Sequence, residues 1–189
     1  GGSLALFALR AHRLQPGGFF APVSREGGIV FNNLILVTAV ATVFFGTLYP
    51  LFLDALTGEK LSVGAPYFEA TFVPLMMPLI AVMALGPMMA WKRADLAGVL
   101  SRLKLAAVLT IVVVIVVAWQ VTGGLAVSLA GEAMALVGVA LGSWLAFGVF
   151  SELAGRIKLF QIPILSSLRR AAGLPRSQWG MSLAHLGMA

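Results

Sequence analysis

LAAVLTIVVVIVVAWQV, residues 105–121, carries no charged side chain, and its reading decides the fold. A helix needs about 20 mostly apolar residues to cross the hydrocarbon of a bilayer. Its core, IVVVIVV at 111–117, has no polar stripe and should face lipid. The run is not alone. IVFNNLILVTAVATVFFGTLYP (29–50), FEATFVPLMMPLIAVMALGPMMA (68–90) and the stretch 132–154 are of the same kind. The chain is 60% hydrophobic and 11% charged, with a mean hydropathy of +0.99. A soluble domain of this size cannot bury that much apolar surface. A signal peptide would account for one such run, not four. The expected fold class is therefore all-α: one polytopic transmembrane helix bundle over 1–189, with about four complete spans and partial helices at both ends. Residues 1–9 read as the tail of a helix and 179–189 as the start of one. The chain is thus expected to be a fragment of a larger membrane protein.

Charge orients the bundle. Arg10, Arg13 and Arg25 lie in the first loop, near 10–28. Lys92, Arg93, Arg102 and Lys104 lie in the third, 91–104, and Arg156, Lys158, Arg169, Arg170 and Arg176 in the fifth, 155–178. The second loop sets Lys60 against Asp54 and Glu59, and the fourth has no Lys or Arg. By the positive-inside rule the odd loops are cytoplasmic and the even loops external. Trp91, Trp119 and Trp179 fall at the expected interfaces, where an amphipathic ring is favoured. The net charge of +6 is thus topological, and nucleic acid is a poor partner for it. The chain has no Cys, which excludes disulfides, thiolate metal sites and thiol nucleophiles on it.

Several features lie within the spans. Thr38, Thr42 and Gly46 repeat at four-residue spacing, as do Gly138, Gly142 and Ala146. Small residues on one face let helices approach closely, so both stripes are expected to pack. Pro74, Pro78 and Pro87 in one span each remove a backbone donor, and that helix should be bent. Asn32 and Asn33 suit interhelical or headgroup hydrogen bonds. Glu69 and Glu132 should meet the positive ends of helix dipoles, and Glu152 should pair with Arg156 four residues on. No carboxylate pair, Ser/His/Asp set, Walker loop or zinc spacing is present.

Two histidines remain. His12, between Arg10 and Arg13, reads as a solvated interfacial residue. His185 lies six residues past Trp179, roughly 9–10 Å deeper at 1.5 Å per residue. An ionisable group at that depth is costly and functional by default. Imidazole there suits haem iron, a proton relay or an interhelical hydrogen bond.

Three stretches together resemble the CcmF/NrfE family of cytochrome c-type biogenesis proteins. SREGGIVFNNLILVTAVATVFFGTLYPLF (24–52) is similar to the family's Ser-Arg-Glu-Gly to Gly-Thr-Leu-Tyr-Pro segment. SVGAPYFEATFVPLMMPL (62–79) follows, with Glu69 where the family pattern has Asn. WGMSLAHLGMA (179–189) resembles the Gly-Met-x-x-Ala-His-Leu-Gly segment. Residues 92–178 match mainly by hydropathy. The resemblance places the chain in the C-terminal half of such a protein.

The resemblance implies a haem lyase in the bacterial inner membrane. Such a protein attaches haem, its substrate, to the Cys-x-x-Cys-His motif of apocytochrome c on the external side, forming thioethers from the haem vinyl groups. It implies a CcmE-type haem chaperone and CcmH/CcmI-type proteins as partners, with membrane lipid around the bundle. It also implies a structural haem b held in the membrane between two histidines and able to relay electrons. His185 matches one axial ligand; the second lies outside this chain, expected upstream with the external haem site. No catalytic residue is assigned to this segment, and the segment alone is not expected to be active. Ser182, three residues before His185, is a candidate to orient the ring. The competing reading is a transporter or channel bundle for haem or a small molecule, which predicts intramembrane charges or paired half-helices.

Overall fold

The computed structural model describes residues 2–11, 19–122 and 129–189. Among the described residues it is all helical, with no strand. The helices are α1 (Gly2–Arg10), α2 (Arg25–Thr57), α3 (Ala65–Met83), α4 (Leu96–Arg102), α5 (Lys104–Thr122), α6 (Leu129–Ile157), α7 (Ile164–Ala172) and α8 (Arg176–Leu186). Four are long and apolar enough to cross a membrane: α2, α3 with its continuation to Met88, α5 and α6. The chain is a multi-pass membrane protein, as expected. His12, Arg13 and the side chain of Glu132 lie outside the described residues.

The span expected at 29–50 is longer at both ends. Ser24 caps α2, accepting from the Gly27 N–H at 3.0 Å. Its hydroxyl satisfies one of the donors that a helix start leaves open. The helix ends where Gly58 takes φ 71°, a left-handed conformation that glycine adopts without penalty, and its N–H bonds to the Asp54 carbonyl at 2.9 Å. Pro50 does not stop it. Proline costs only the bond to the Gly46 carbonyl, and the apolar surroundings hold the remaining turns together.

Packing of α2 on α3 explains part of the first stripe. Ala39 and Gly46 are buried and Thr42 half-buried, whereas Thr38 is exposed and satisfies its hydroxyl on the Leu34 carbonyl at 2.9 Å. The contact face is thus Ala39–Thr42–Gly46, one residue round from the expected stripe. Tyr67 of α3 lies over it: its hydroxyl donates to the Thr42 carbonyl at 3.1 Å, and a Cβ at Gly46 would sit 2.6 Å from its ring. The second stripe also divides. Gly142 lies against the Ala189 carbonyl, but Gly138 has nothing within 4 Å. The close small-residue contact of α6 is Gly148 against Ala84.

The proline-rich span is interrupted rather than merely bent. Pro74 and Pro78 lie within α3, but the α-helix stops at Met83, and Pro87 belongs to a 3-10 turn at Gly86–Met88. The Leu85 N–H bonds to Val82 at 2.9 Å, a tighter turn that releases the Ala81 carbonyl. The indole of Trp144 on α6 donates to that carbonyl at 2.9 Å. A carbonyl freed at membrane depth needs such a partner.

On α5 the IVVVIVV run is two-sided. Ile111, Val112, Ile115 and Val116 are exposed, which suits lipid, while Val113, Val114 and Val117 are half-buried on the side where α5 packs along α6. Helix α6 is the hub, touching α3, α5, α7 and α8. Two buried clusters hold the bundle: Ala84, Leu145 and Val149, and Val99, Leu103 and Ala106. Trp144 packs against both.

Two expected loops contain helices. The third includes α4, which supplies Val99 to the second cluster. The fifth includes α7, with Ile164, Leu165 and Leu168 exposed and Arg169 and Arg170 in its last turn. That composition suits a helix lying in the membrane interface. The first and third loops meet at the start of α2. The Ala21, Arg25 and Glu26 N–H groups bond to the carbonyls of Lys92, Ala90 and Trp91, and Ala94 returns a bond to Val23. Two loops assigned to one side of the membrane by their charge are thus joined by backbone hydrogen bonds.

Candidate functional site

Helix α8 starts at Arg176, directly after Pro175, whose fixed φ turns the chain. The Trp179 indole donates to the Ala171 carbonyl of α7 at 3.3 Å, tying the start of α8 to an interfacial helix. Ser182 and His185, three apart, share the inner face; Leu183 points outward and is exposed. Leu186 packs on the Ala84–Leu145–Val149 cluster, which fixes the rotation of α8 against α6. His185 is held half-buried among three helices.

The imidazole lines a cavity of about 230 Å³. Helix α2 supplies Arg25, Gly28, Ile29, Phe31 and Asn32; α3 supplies Leu79, Val82 and Met83; the 3-10 turn supplies Gly86 and Pro87; α8 adds Met181 and His185. The walls are mostly apolar, with polar groups at Arg25, Asn32 and His185. On its other side His185 borders a void of about 10 Å³ shared with Ser182, Gly148 and Glu152, room for roughly one water. Glu152 is 7% exposed, and Arg156 Nε donates to its Oε1.

Ligand chemistry narrows what this arrangement can hold. Among the described residues no group of three His, Asp or Glu is placed to hold a bare metal ion. A porphyrin brings four nitrogen ligands of its own and needs only axial side chains. Apolar walls, one imidazole and a cation at the rim fit that requirement. The imidazole makes no hydrogen bond to another described residue; Ser182 is 5% exposed on the same face but does not bond to it. At about 230 Å³ the cavity is below the about 300–1,000 Å³ usual for a small-molecule site.

Of the residues singled out in the sequence, the structure brings His185 and Asn32 to one cavity and leaves Asn33 exposed, bonded to Asn32 at 3.4 Å. Glu69 lies exposed and beyond the first turn of α3, not at a helix start. Sequence reasoning missed two neighbours of His185. Arg25 read as a loop charge, and Glu152 read only as a partner for Arg156. Neither carries a local signal for His185, since each reaches the site through helix packing more than 30 residues distant in sequence.

Relatives of the chain are known. It is 50% identical over 188 residues to the cytochrome c-type biogenesis protein CycK of Rhizobium meliloti, covering 100% of this chain and 27% of the relative. It is 40% identical over 195 residues to CcmF of Pseudomonas aeruginosa and 33% identical over 189 residues to CcmF of Escherichia coli, again over 100% of this chain and 27% of each relative. The chain therefore spans about a quarter of the length of the relatives it matches. The expected placement in the C-terminal half is not what these matches support. No family model and no solved structure matches the chain.

Proposed function

The chain belongs to the CcmF/CycK family of cytochrome c-type biogenesis proteins, and from that premise we propose that it forms part of a haem lyase of the bacterial inner membrane, in which His185 is an axial ligand to an intramembrane haem b. The observation that carries the reading is the position of His185: an imidazole with no hydrogen-bond partner among the described residues, lining an apolar cavity between α2, α3 and α8. The second axial ligand comes from a histidine outside this chain. The whole protein receives haem from a CcmE-type chaperone, works with CcmH/CcmI-type partners and joins haem to apocytochrome c externally.

The residues of this chain have definable tasks in that scheme. Packing of Leu186 on the Ala84–Leu145–Val149 cluster sets the rotation of α8 and so the side on which the ring lies. Leu79, Val82, Met83 and Met181 exclude water from the face the imidazole addresses. Gly86 and Pro87, in the 3-10 turn that follows α3, complete the wall between α3 and α2. A haem bound there would supply one-electron chemistry, with its potential set by axial ligation and burial. A transporter or channel is disfavoured, because the relatives are biogenesis proteins and the buried Glu152 is already paired with Arg156.

The test is the absorption spectrum of the purified full-length protein with and without His185→Ala. We expect loss of the b-type bands. Full haem occupancy in the variant would sink the ligand assignment.

A further inference from the structure

We propose that Arg25 is the carboxylate-binding residue of the His185 cavity, its guanidinium taking an acid group of the same ligand whose iron His185 binds. The inference rests on the haem reading above and adds the end of the molecule that the imidazole does not address. Haem b is bifunctional in this respect, with iron at its centre and carboxylates along one edge.

Three observations converge on Arg25. It lines the cavity with His185 and is the one permanently charged residue among those lining it. Among the described residues no carboxylate is paired with it, since the ion pair found joins Arg156 to Glu152. Its backbone is held and its side chain has an aromatic contact. The backbone N–H is bonded to the Ala90 carbonyl at 2.9 Å, and the guanidinium lies over the Trp91 ring, 5.6 Å from its centroid. A cation–π contact uses no guanidinium N–H as a hydrogen-bond donor, so the donors stay available for a two-point contact with a carboxylate.

Position and chemistry agree. Arg25 is the first residue of α2, on the side that the positive loops assign to the cytoplasm, while His185 lies deeper along α8. An anion at the rim and a metal further in match a ligand inserted edge-out. The helix start itself is not the attraction. The Arg25 and Glu26 N–H groups are taken by Ala90 and Trp91, and that of Gly27 by Ser24. What remains is the side chain, exposed at the rim of the cavity.

A cation beside the haem carboxylates favours ferrous over ferric iron. The experiment is a reductive titration of the purified full-length protein, comparing Arg25→Gln, Arg25→Lys and His185→Ala, with phospholipid content measured alongside. We expect Arg25→Gln to keep the low-spin bis-imidazole spectrum while the ferrous-to-ferric ratio at a fixed potential falls about tenfold, equal to 59 mV for one electron. Arg25→Lys should recover most of it. A change below about threefold with haem retained overturns the assignment of Arg25 and leaves His185 standing. So does an unchanged ratio with loss of bound anionic phospholipid, which would make the anion a lipid headgroup. If Arg25→Gln loses the haem, Arg25→Lys decides: haem kept with Lys supports the role of charge, and haem lost in both overturns it. Haem retained in His185→Ala defeats the underlying reading instead.

Discussion

Replacing Gly148 by Ala tests the helix crossing on which the site rests. A Cβ at Gly148 would lie 2.7 Å from the Ala84 Cβ and 3.5 Å from its Cα. Carbon atoms in comfortable contact stand about 3.5–4.0 Å apart. Both atoms are rooted in backbone and Ala84 is 2% exposed, so no rotamer can relieve the overlap. The helices α3 and α6 must separate by about 1 Å. Overpacking of this kind costs about 1–3 kcal/mol. The substitution also gains helix propensity, about 1 kcal/mol. The net effect of Gly148→Ala is therefore a destabilisation of about 0–2 kcal/mol. Gly138→Ala on the same helix gains the same propensity and has no atom within 4 Å to meet. The difference between the two variants cancels the propensity and isolates the steric cost, about 1–3 kcal/mol. Denaturant unfolding of the full-length protein in detergent measures it. Because Gly148 also borders the void beside His185, haem content should fall in Gly148→Ala and not in Gly138→Ala. Equal stability of the two, or a more stable Gly148→Ala, would refute the crossing geometry.

Two further outcomes are expected. Arg156→Ala strands a carboxylate that is 7% exposed and should cost about 3 kcal/mol, the lower end for a buried pair because the guanidinium side is 31% exposed. The double variant Glu152→Gln with Arg156→Gln should recover most of that loss; a double as unstable as the single would show that no stranded charge was involved. For orientation, the chain's lack of Cys allows single-site labelling in a cysteine-free full-length background. Lys60→Cys should react with a membrane-impermeant maleimide in intact cells, and Arg170→Cys only after lysis. The opposite pattern would invert the topology.

Spans and the grouping of loops were legible because both depend on one-dimensional quantities. Hydropathy marked α2, α3, α5 and α6, and charge grouped loops that the bonds between Ala21, Arg25, Glu26 and the 90–94 segment join in space. Helix ends were less legible. Pro50 looks like a terminus, yet α2 continues to Thr57. Pro87 looks like a kink, yet α3 has already ended at Met83. Whether proline bends a helix or ends it depends on who accepts the freed carbonyls, and that partner, Trp144, lies 63 residues from Ala81. Helical phase was the least legible. The stripe at Thr38 was one residue off, because Thr, Ala and Gly are all small enough for a close contact and a threonine hydroxyl can satisfy itself within its own helix.

The same reasoning explains why His185 was visible and its neighbours were not. An ionisable residue inside an apolar run is costly wherever it points, so it stands out without any knowledge of packing. Arg25 lies at a helix start and Glu152 one turn before Arg156, so each has an ordinary explanation in the sequence. Their proximity to His185 follows from three crossings: α2 on α3, α3 on α6 at Ala84–Gly148, and α6 on α8 at Leu186. The first two crossings depend on a small residue, Gly46 and Gly148, so the site is a product of the seams between helices. A change at Gly46 or Gly148, neither of which touches a ligand, should therefore disturb haem binding before it disturbs insertion into the membrane.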